Sequence, residues 1–523
     1  MAGAIPAATA PLAAGDPLPG RPRLVIVFVV DGLRPDAIDA DETPTLFRLR
    51  REGVNFVNGH AVFPTVTRVN AAALSTGIYP GTNGVNSNQM YVPAVQPERA
   101  FDTGDFKNLL ALDRVTGGRL VPPTLAERLH AVGRRLAAVS SGSSGSAFLL
   151  NPRAPQGVGV LVNGHLEPGV RAGYPDTVSA EVLARFGAAP VRGGAGDSYD
   201  PSVDWAQTVL REYVLPELRP DVVLNWLTEP DHIQHARSAG SPEARRAIRN
   251  DDRHIGLILT KLESLGLADH TDVLVVSDHG FSLNVHGVNV TRELIAGGLK
   301  AADDSDDVVV ASSGQSVLLH VKGRHHARIR GIVDWLHAQD WTGVVFTAGR
   351  ARTTPVEPLG WAEGTFSLEL IHAANDERGP DVVFTFPWTS APNAFGVPGA
   401  DYGVTAGATG PTTGARSDHG SMSPWTVRNT FLAWGVDFKR GATVRTPASN
   451  VDIAPTVLAL LGVEARGLDG RVLLEALRGG PDEEQVAVET RVFTTSRGDG
   501  YAAAIQVSET PGQRYIDKSW RVR

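Results

Sequence analysis

The most constraining feature of the chain is a set of short apolar runs that end in acidic residues. Leu24–Val30 reads LVIVFVV and runs straight into Asp31-Gly32. An unbroken run of this kind has no polar face, so as a strand it has to be covered on both sides. Val222–Leu227 (VVLNWL) and Asp272–Val276 (DVLVV) repeat the pattern. Helical stretches are predicted between and beside them. Thr43-Pro44 opens a helix that Gly53 closes, and Thr124–Val132, Trp205–Leu218 and Pro242–Leu265 follow. Strands alternating with helices of this length predict an α/β fold, a three-layer α/β/α sandwich with a largely parallel central sheet. In such sheets functional residues gather beyond the C-terminal ends of the strands.

Residues 301–399 read differently. Val308–Val310 and Ser316–Val321 are strand-like, Ala327–Leu336 is helical, and a Gly- and Pro-rich stretch follows that includes Gly396 to Gly414. We read 301–399 as an inserted cap-like subdomain within a catalytic core made of 23–300 and 400–523. The core pattern returns at Pro424–Ala433 and Asp452–Leu461, and Tyr501–Val507 with Tyr515–Val522 around Pro511-Gly512 resembles a terminal hairpin. Residues 1–22 are expected to be a flexible tail. They are rich in Ala, Pro and Gly and lack the basic start and apolar centre of an intact signal peptide. No segment reaches the roughly 18 apolar residues of a membrane span, and no internal repeat is present.

Composition narrows the chemistry. With no cysteine in 523 residues, disulfides, thiolate zinc sites, iron–sulfur clusters and cysteine nucleophiles are excluded. Lys plus Arg is 49 against 57 Asp plus Glu, a net charge of −8. That disfavours wrapping of nucleic acid, and an anionic substrate then needs a local positive centre. Four clusters supply the residues for one. They are Asp31, the stretch Glu229-Pro230-Asp231-His232-Ile233-Gln234-His235, Ser277-Asp278-His279-Gly280, and Ser417-Asp418-His419-Gly420. Alone, Asp31 reads as readily as a turn residue. Asp231 and His235 are four apart and share a helix face, whereas His232 lies off it and reads as a surface residue. Together, Asp31, Asp231, His235, Asp278, His279 and His419 make three carboxylates and three imidazoles, enough to hold two metal ions with open coordination positions. Zn²⁺ suits that donor set best, with Mn²⁺, Fe or Co²⁺ as alternatives. Thr67, in FPTVTRVN ahead of a short helix, is the candidate nucleophile or an N-cap, and Thr65 lies two residues earlier.

These residues resemble the alkaline phosphatase superfamily, and within it the nucleotide pyrophosphatase/phosphodiesterase family. The matching stretches are VFVVDGLRPD, FPTVTRVNAAALSTGIYPGTNGVNSNQMY, EPDHIQH, VSDHG and SDHG, in the family's order, with NVDIAPTVLALLG as a late helix. The resemblance implies one ion held by Asp31, Thr67, Asp278 and His279, and a second by Asp231, His235 and His419. It places Asn88 where an asparagine hydrogen-bonds a non-bridging phosphate oxygen. It implies in-line attack by Thr67, a covalent phospho-threonine intermediate and its hydrolysis by water. A phosphodiester is the favoured substrate class, with phosphomonoesters or phosphonates as the alternatives. A non-catalytic metal-binding protein is disfavoured because no ligand position has been lost. Two departures stand out. Arg68 occupies the position where nucleotide-binding members carry an aromatic residue, and it either meets a substrate anion or faces solvent. No Lys-x-Arg pair lies near 140–175, where Ser140–Ser146 (SSGSSGS) is expected to line the substrate groove. A sulfatase is disfavoured by the missing Cys and the missing Ser-x-Pro-x-Arg. The expected partner is a small phosphate ester, with no nucleic acid, no membrane span and no oligomeric state assigned. Family habit points to a periplasmic or secreted protein, with the cytoplasm as the alternative.

Overall fold

A computed structural model describes residues 24–165, 169–194, 196–351, 353, 356–412, 416–498 and 500–522. The tail expected over 1–22 lies outside the described residues.

The central sheet has nine strands. In chain order they are β1 (Leu24–Val30), β2 (Val54–Phe56), β3 (Leu136–Ser140), β4 (Val160–Asn163), β5 (Gly173–Tyr174), β6 (Val222–Leu227), β7 (Thr271–Val276), β8 (Phe431–Gly435) and β9 (Ala442–Val444). Across the sheet they run β9-β2-β8-β7-β1-β6-β3-β4-β5. The block from β7 to β4 is parallel throughout, and antiparallel pairings flank it, with β8 beside β7 and β5 beside β4. The fold is therefore the expected α/β architecture. Every residue of β1, β6 and β7 is buried, which is why these strands carry no polar alternation. One apolar layer, including Val25, Val27, Leu224 and Leu274, packs on one face. A second, including Ile26, Phe28, Val223 and Val275, packs on the other.

The helices relevant to the site are α1 (Thr67–Thr76), α2 (Ser144–Leu150), α3 (Asp231–Arg237), α4 (Pro242–Ser264) and α5 (Ile453–Leu460). Two sequence expectations need correction. The helix read at Trp205–Leu218 begins at Asp200 with Pro201 in its first turn, and widens to a π-helix over Leu210–Leu218, where Pro216 supplies no N–H. The stretch Pro424–Ala433 is not one element. Pro424–Val427 is a single helical turn, and β8 follows it.

Residues 308–385 build a separate sheet in the order Val308–Ser313, Ser316–Val321, Val382–Thr385, Val345–Thr347, Phe366–Ser367, with the helix His326–Ala338. The terminal hairpin gains a third strand, Glu489–Ser496, and its Tyr501, Ala503, Ile505 and Val507 share a core with that sheet. A further sheet is built on Ser282–Val288, which pairs in parallel with Pro398–Thr405. The short strand Ser417–Asp418 pairs antiparallel with Ser282–Leu283. That pairing returns the chain, after the long excursion, to the segment just beyond β7.

Candidate metal centre

Strand order puts three chain segments at one edge. β1 lies between β6 and β7, with Val30 beside Leu227 and Val29 beside Val276. Asp31 therefore emerges next to the segments that carry Asp231 and Asp278. Asp31 N–H donates to Leu227 O (2.9 Å), and Asp231 N–H donates to Asp31 O (3.0 Å). Gly32 N–H donates to Asp278 Oδ1 (3.0 Å). Gly32 has φ +72°, and a Cβ there would lie 2.9 Å from the Phe281 ring and 3.2 Å from Asp231 Cα. Only glycine both tolerates that φ and lets the two segments close up.

The six donors expected from sequence fall into two groups, Asp31 with Asp278 and His279, and Asp231 with His235 and His419. Within each group one ligand atom per residue lies within 4.8 Å of the others. His279 Nε2 sits 3.1 Å from Asp278 Oδ2 and 3.6 Å from Asp31 Oδ1. Asp231 Oδ1 is 3.3 Å from His419 Nε2 and 3.5 Å from His235 Nε2. The groups adjoin, since Asp231 Oδ1 is also 3.8 Å from His279 Nε2 and the His279 and His419 rings stack at 3.5 Å.

Each imidazole is oriented from behind. His279 Nδ1 lies 3.0 Å from Gly280 O, His419 Nδ1 2.9 Å from Thr65 O, and His235 Nδ1 3.1 Å from Ser417 O. A carbonyl only accepts, so Nδ1 carries the proton in all three rings and Nε2 faces the carboxylates. This is the outer-shell arrangement of ligating histidines. Asp31 Oδ1, Asp231 Oδ1, Asp278 Oδ2 and His279 Nε2 are buried with no hydrogen-bond partner. Buried charge without a partner is costly, and a pair of divalent cations would satisfy all four atoms. The donor set thus fits the metals expected for it.

Protonation equilibria in the metal-free arrangement follow the crowding. Burial pushes the Asp31 carboxyl well above the usual range, with Asp278 and Asp231 adding to it. Burial also acts upward on Asp231, but His235 and His419 outweigh it and hold that carboxyl well below. His235 is pushed up to about 9, where Asp231 and Asp418 overcome burial, while burial and the neighbouring His279 lower His419.

Thr67 is the first residue of α1, one position further in than the sequence suggested, and it is buried. Two anchors bracket it. On one side, Thr65 O is the acceptor for His419, and Thr65 Oγ1 donates to Ser421 O (2.9 Å) and accepts from Gly420 N–H (3.1 Å). That occupies the Thr65 hydroxyl. On the other side, Asn450 Nδ2 donates to Asn70 Oδ1 (2.9 Å) and to Asp278 O (3.1 Å). The start of α1 is thereby fixed to the segments that carry both donor groups. Asn88 Oδ1 accepts from Arg68 N–H (3.1 Å), which places Asn88 beside the Thr67–Arg68 peptide. Arg68 pairs with the half-exposed Asp102 (3.1 Å).

Further residues support the donors, of which Trp226 was not singled out from sequence. Trp226, fully buried, donates Nε1–H to Asp31 Oδ2 (2.9 Å). Glu229 is buried ahead of α3 and accepts from Tyr199 N–H (2.7 Å) and Ile233 N–H (3.1 Å), and burial pushes its carboxyl up to about 8. His232 is not simply a surface residue, because its ring stacks on Tyr199 at 3.4 Å. Ser143 caps α2, and Ser141 Oγ accepts from Thr228 N–H (3.0 Å), which ties the serine-rich loop to the segment entering α3.

A model of the type I phosphodiesterase / nucleotide pyrophosphatase family matches residues 25–342. The chain belongs to this family. Among curated relatives of this phosphodiesterase family member, ectonucleotide pyrophosphatase/phosphodiesterase family member 1 of Mus musculus is 24% identical over 259 residues, covering 49% of this chain and 24% of that protein. A pyrophosphatase/phosphodiesterase of Schizosaccharomyces pombe is 23% identical over 311 residues, covering 55% and 54%. A venom phosphodiesterase of Crotalus durissus collilineatus is 22% identical over 262 residues, covering 49% and 26%. The chain thus spans from about a quarter to about half of the length of these relatives. His419 lies beyond the stretch that the family model matches. Among the described residues no helix is long and apolar enough to cross a membrane.

Proposed function

We propose that the chain hydrolyses phosphate esters, with phosphodiesters as the preferred class, through a covalent phospho-threonine intermediate on Thr67. The observation that carries this reading is the pair of three-residue donor groups meeting at Asp231 Oδ1 and His279 Nε2, beside the fixed start of α1. One divalent ion held by Asp31, Thr67, Asp278 and His279, and a second held by Asp231, His235 and His419, most suitably Zn²⁺, would supply Lewis acidity and charge neutralisation at phosphorus. Thr67 Oγ1 forms the bond to phosphorus as the ester bond to the leaving alcohol breaks, and water then breaks the Oγ1–P bond. Asn88 directs its Oδ1 to Arg68 N–H, leaving its Nδ2 as the donor for a non-bridging oxygen. The Thr67 N–H, at the first turn of α1, is a second donor without an intrahelical partner.

With Arg68 held by Asp102 and no aromatic residue in its place, the proposal includes no preference for a nucleobase. The division into a core of 23–300 and 400–523 with a cap of 301–399 is part of the same reading, supported by the separate sheet within 308–385. So is a site of action outside the cytoplasm, in keeping with the ecto- and venom enzymes among the relatives.

The test compares kcat/KM for bis(p-nitrophenyl) phosphate, p-nitrophenyl phosphate, a nucleotide diester and phosphonoacetate, before and after chelation. Activity is expected to vanish on chelation, to return with Zn²⁺ and to favour the diesters. Preference for the monoester by orders of magnitude overturns the substrate class. Thr67→Ala is expected to keep bound metal and lose turnover, and unchanged turnover removes Thr67 as nucleophile.

A further inference from the structure

A cavity of about 380 Å³ lies behind the candidate metal centre, outside the donor groups. Phe56, Phe431, Leu432 and Trp425 form its apolar lining, and Phe56 meets Phe431 edge to face at 4.9 Å. Its size and lining are those of a small-molecule site. Three guanidinium groups reach it, from Arg34, Arg50 and Arg428. Arg34 makes four hydrogen bonds, donating twice to Asp36 and also to Phe281 O and Pro398 O. The other two are less engaged, although Arg50 lies over the Phe47 ring at 5.2 Å and feels the charge of Asp39. Arg50 makes one long bond, 3.4 Å to Pro35 O, and neither Arg50 nor Arg428 has an ion-pair partner among the described residues. Trp425 Nε1 is shielded from solvent and has no hydrogen-bond partner.

We propose that this cavity binds an organic anion with a planar apolar body and a carboxylate-like head. The body lies among Phe56, Phe431, Leu432 and Trp425, and the head meets the guanidinium groups of Arg50 and Arg428, which favour planar oxyanions. Among the lining residues the three guanidinium groups face one carboxylate, Asp36, itself paired with Arg34, and this positive excess favours an anionic ligand over neutral and cationic ones. The cavity wall is also tied to the metal-centre loops. Asn429 Nδ2 donates to Ser277 O (2.6 Å), Thr430 Oγ1 to Leu33 O (2.9 Å), and Gly280 N–H to Thr426 O (2.9 Å). The site is nevertheless distinct from the one that would hold a phosphate ester.

The experiment titrates the native, metal-loaded chain with 1-naphthoate and with its neutral analogue 2-naphthol, by calorimetry and tryptophan fluorescence, with and without orthophosphate. Naphthoate is expected to bind about tenfold more tightly than naphthol, to resist orthophosphate, and to weaken about tenfold in the Arg50→Gln/Arg428→Gln double variant. Both residues are peripheral, so the double variant should keep the melting temperature of the parent. Equal binding of the two probes, an unchanged Kd in the double variant, displacement by orthophosphate, or no binding overturns the proposal. Displacement by orthophosphate would place the naphthoate in the metal centre instead. None of these outcomes bears on Thr67 or on hydrolysis.

Discussion

Replacing Trp226 with Phe is expected to distinguish the two proposed ion sites. The indole N–H is the donor to Asp31 Oδ2, at 2.9 Å, and it favours the charged form of a carboxyl pushed up by burial and by Asp278 and Asp231. Phe keeps an aromatic ring in the fully buried position and removes that donor. A hydrogen bond to a charged group is worth about 1.5–3 kcal/mol. Loss of an outer-shell partner of a metal ligand costs roughly 10–100-fold in affinity, about 1.4–2.7 kcal/mol. The two figures agree, so the ion held by Asp31, Asp278 and His279 should bind about 10–100-fold more weakly in Trp226→Phe. His235, His419 and Asp231 make no hydrogen bond to the indole, so the other ion should change by less than about threefold. Zn²⁺ competition against a chromophoric chelator resolves the two steps, and metal analysis after dialysis at graded free Zn²⁺ checks the stoichiometry. Equal weakening of both steps, or of neither, would refute the assignment of Trp226 to one ion.

Gly32→Ala should behave differently. Its φ of +72° costs an L-residue about 1–2 kcal/mol, and the added Cβ meets both Phe281 and Asp231. A lower melting temperature with both Zn²⁺ steps weakened is expected, and selective loss of one step counts against the geometry. Arg68→Ala should change kcat/KM for diesters by less than about threefold, because its partner is Asp102 and part-exposed pairs contribute about 0.2–1 kcal/mol. A drop beyond tenfold would mean that the guanidinium meets substrate. Away from the site, burial pushes Asp272 up to about 8. The native state keeps a proton that the unfolded chain releases near pH 4, so this group makes stability fall as pH rises from about 4 to about 8. Asp272→Asn should raise the melting temperature over the parent increasingly across that window, and a pH-independent difference would exclude the buried proton.

What the sequence makes legible here is what burial on two faces imposes. β1, β6 and β7 have no solvent side, so their residues form unbroken apolar runs, and the acids that follow stand out. β3 and β4 are equally buried but short, and three of the five residues of β3 are Ala or Ser, which carry little strand signal. The six donors are visible because Asp and His beyond strand ends are unusual in combination. Their supports are not. Trp226 reads as core within VVLNWL, and the acceptors that orient the histidines are backbone carbonyls of Gly280, Thr65 and Ser417, which any residue provides. The cavity behind the centre draws its lining from segments near 34–57 and 424–432, and no local pattern marks that meeting.

The pairing of Ser417–Asp418 with Ser282–Leu283 has a consequence for how the centre comes into being during synthesis. Asp31, Asp278 and His279 are all made before the separate sheet begins, so one coordination sphere has its protein donors while much of the chain is still to be translated. The other lacks His419 until that sheet and its neighbours have emerged and the short strand has docked. On the proposed two-ion reading, the second ion would report that the whole intervening excursion has folded back correctly. A chain ending ahead of residue 419 would carry all three donors of one group and two of the three of the other.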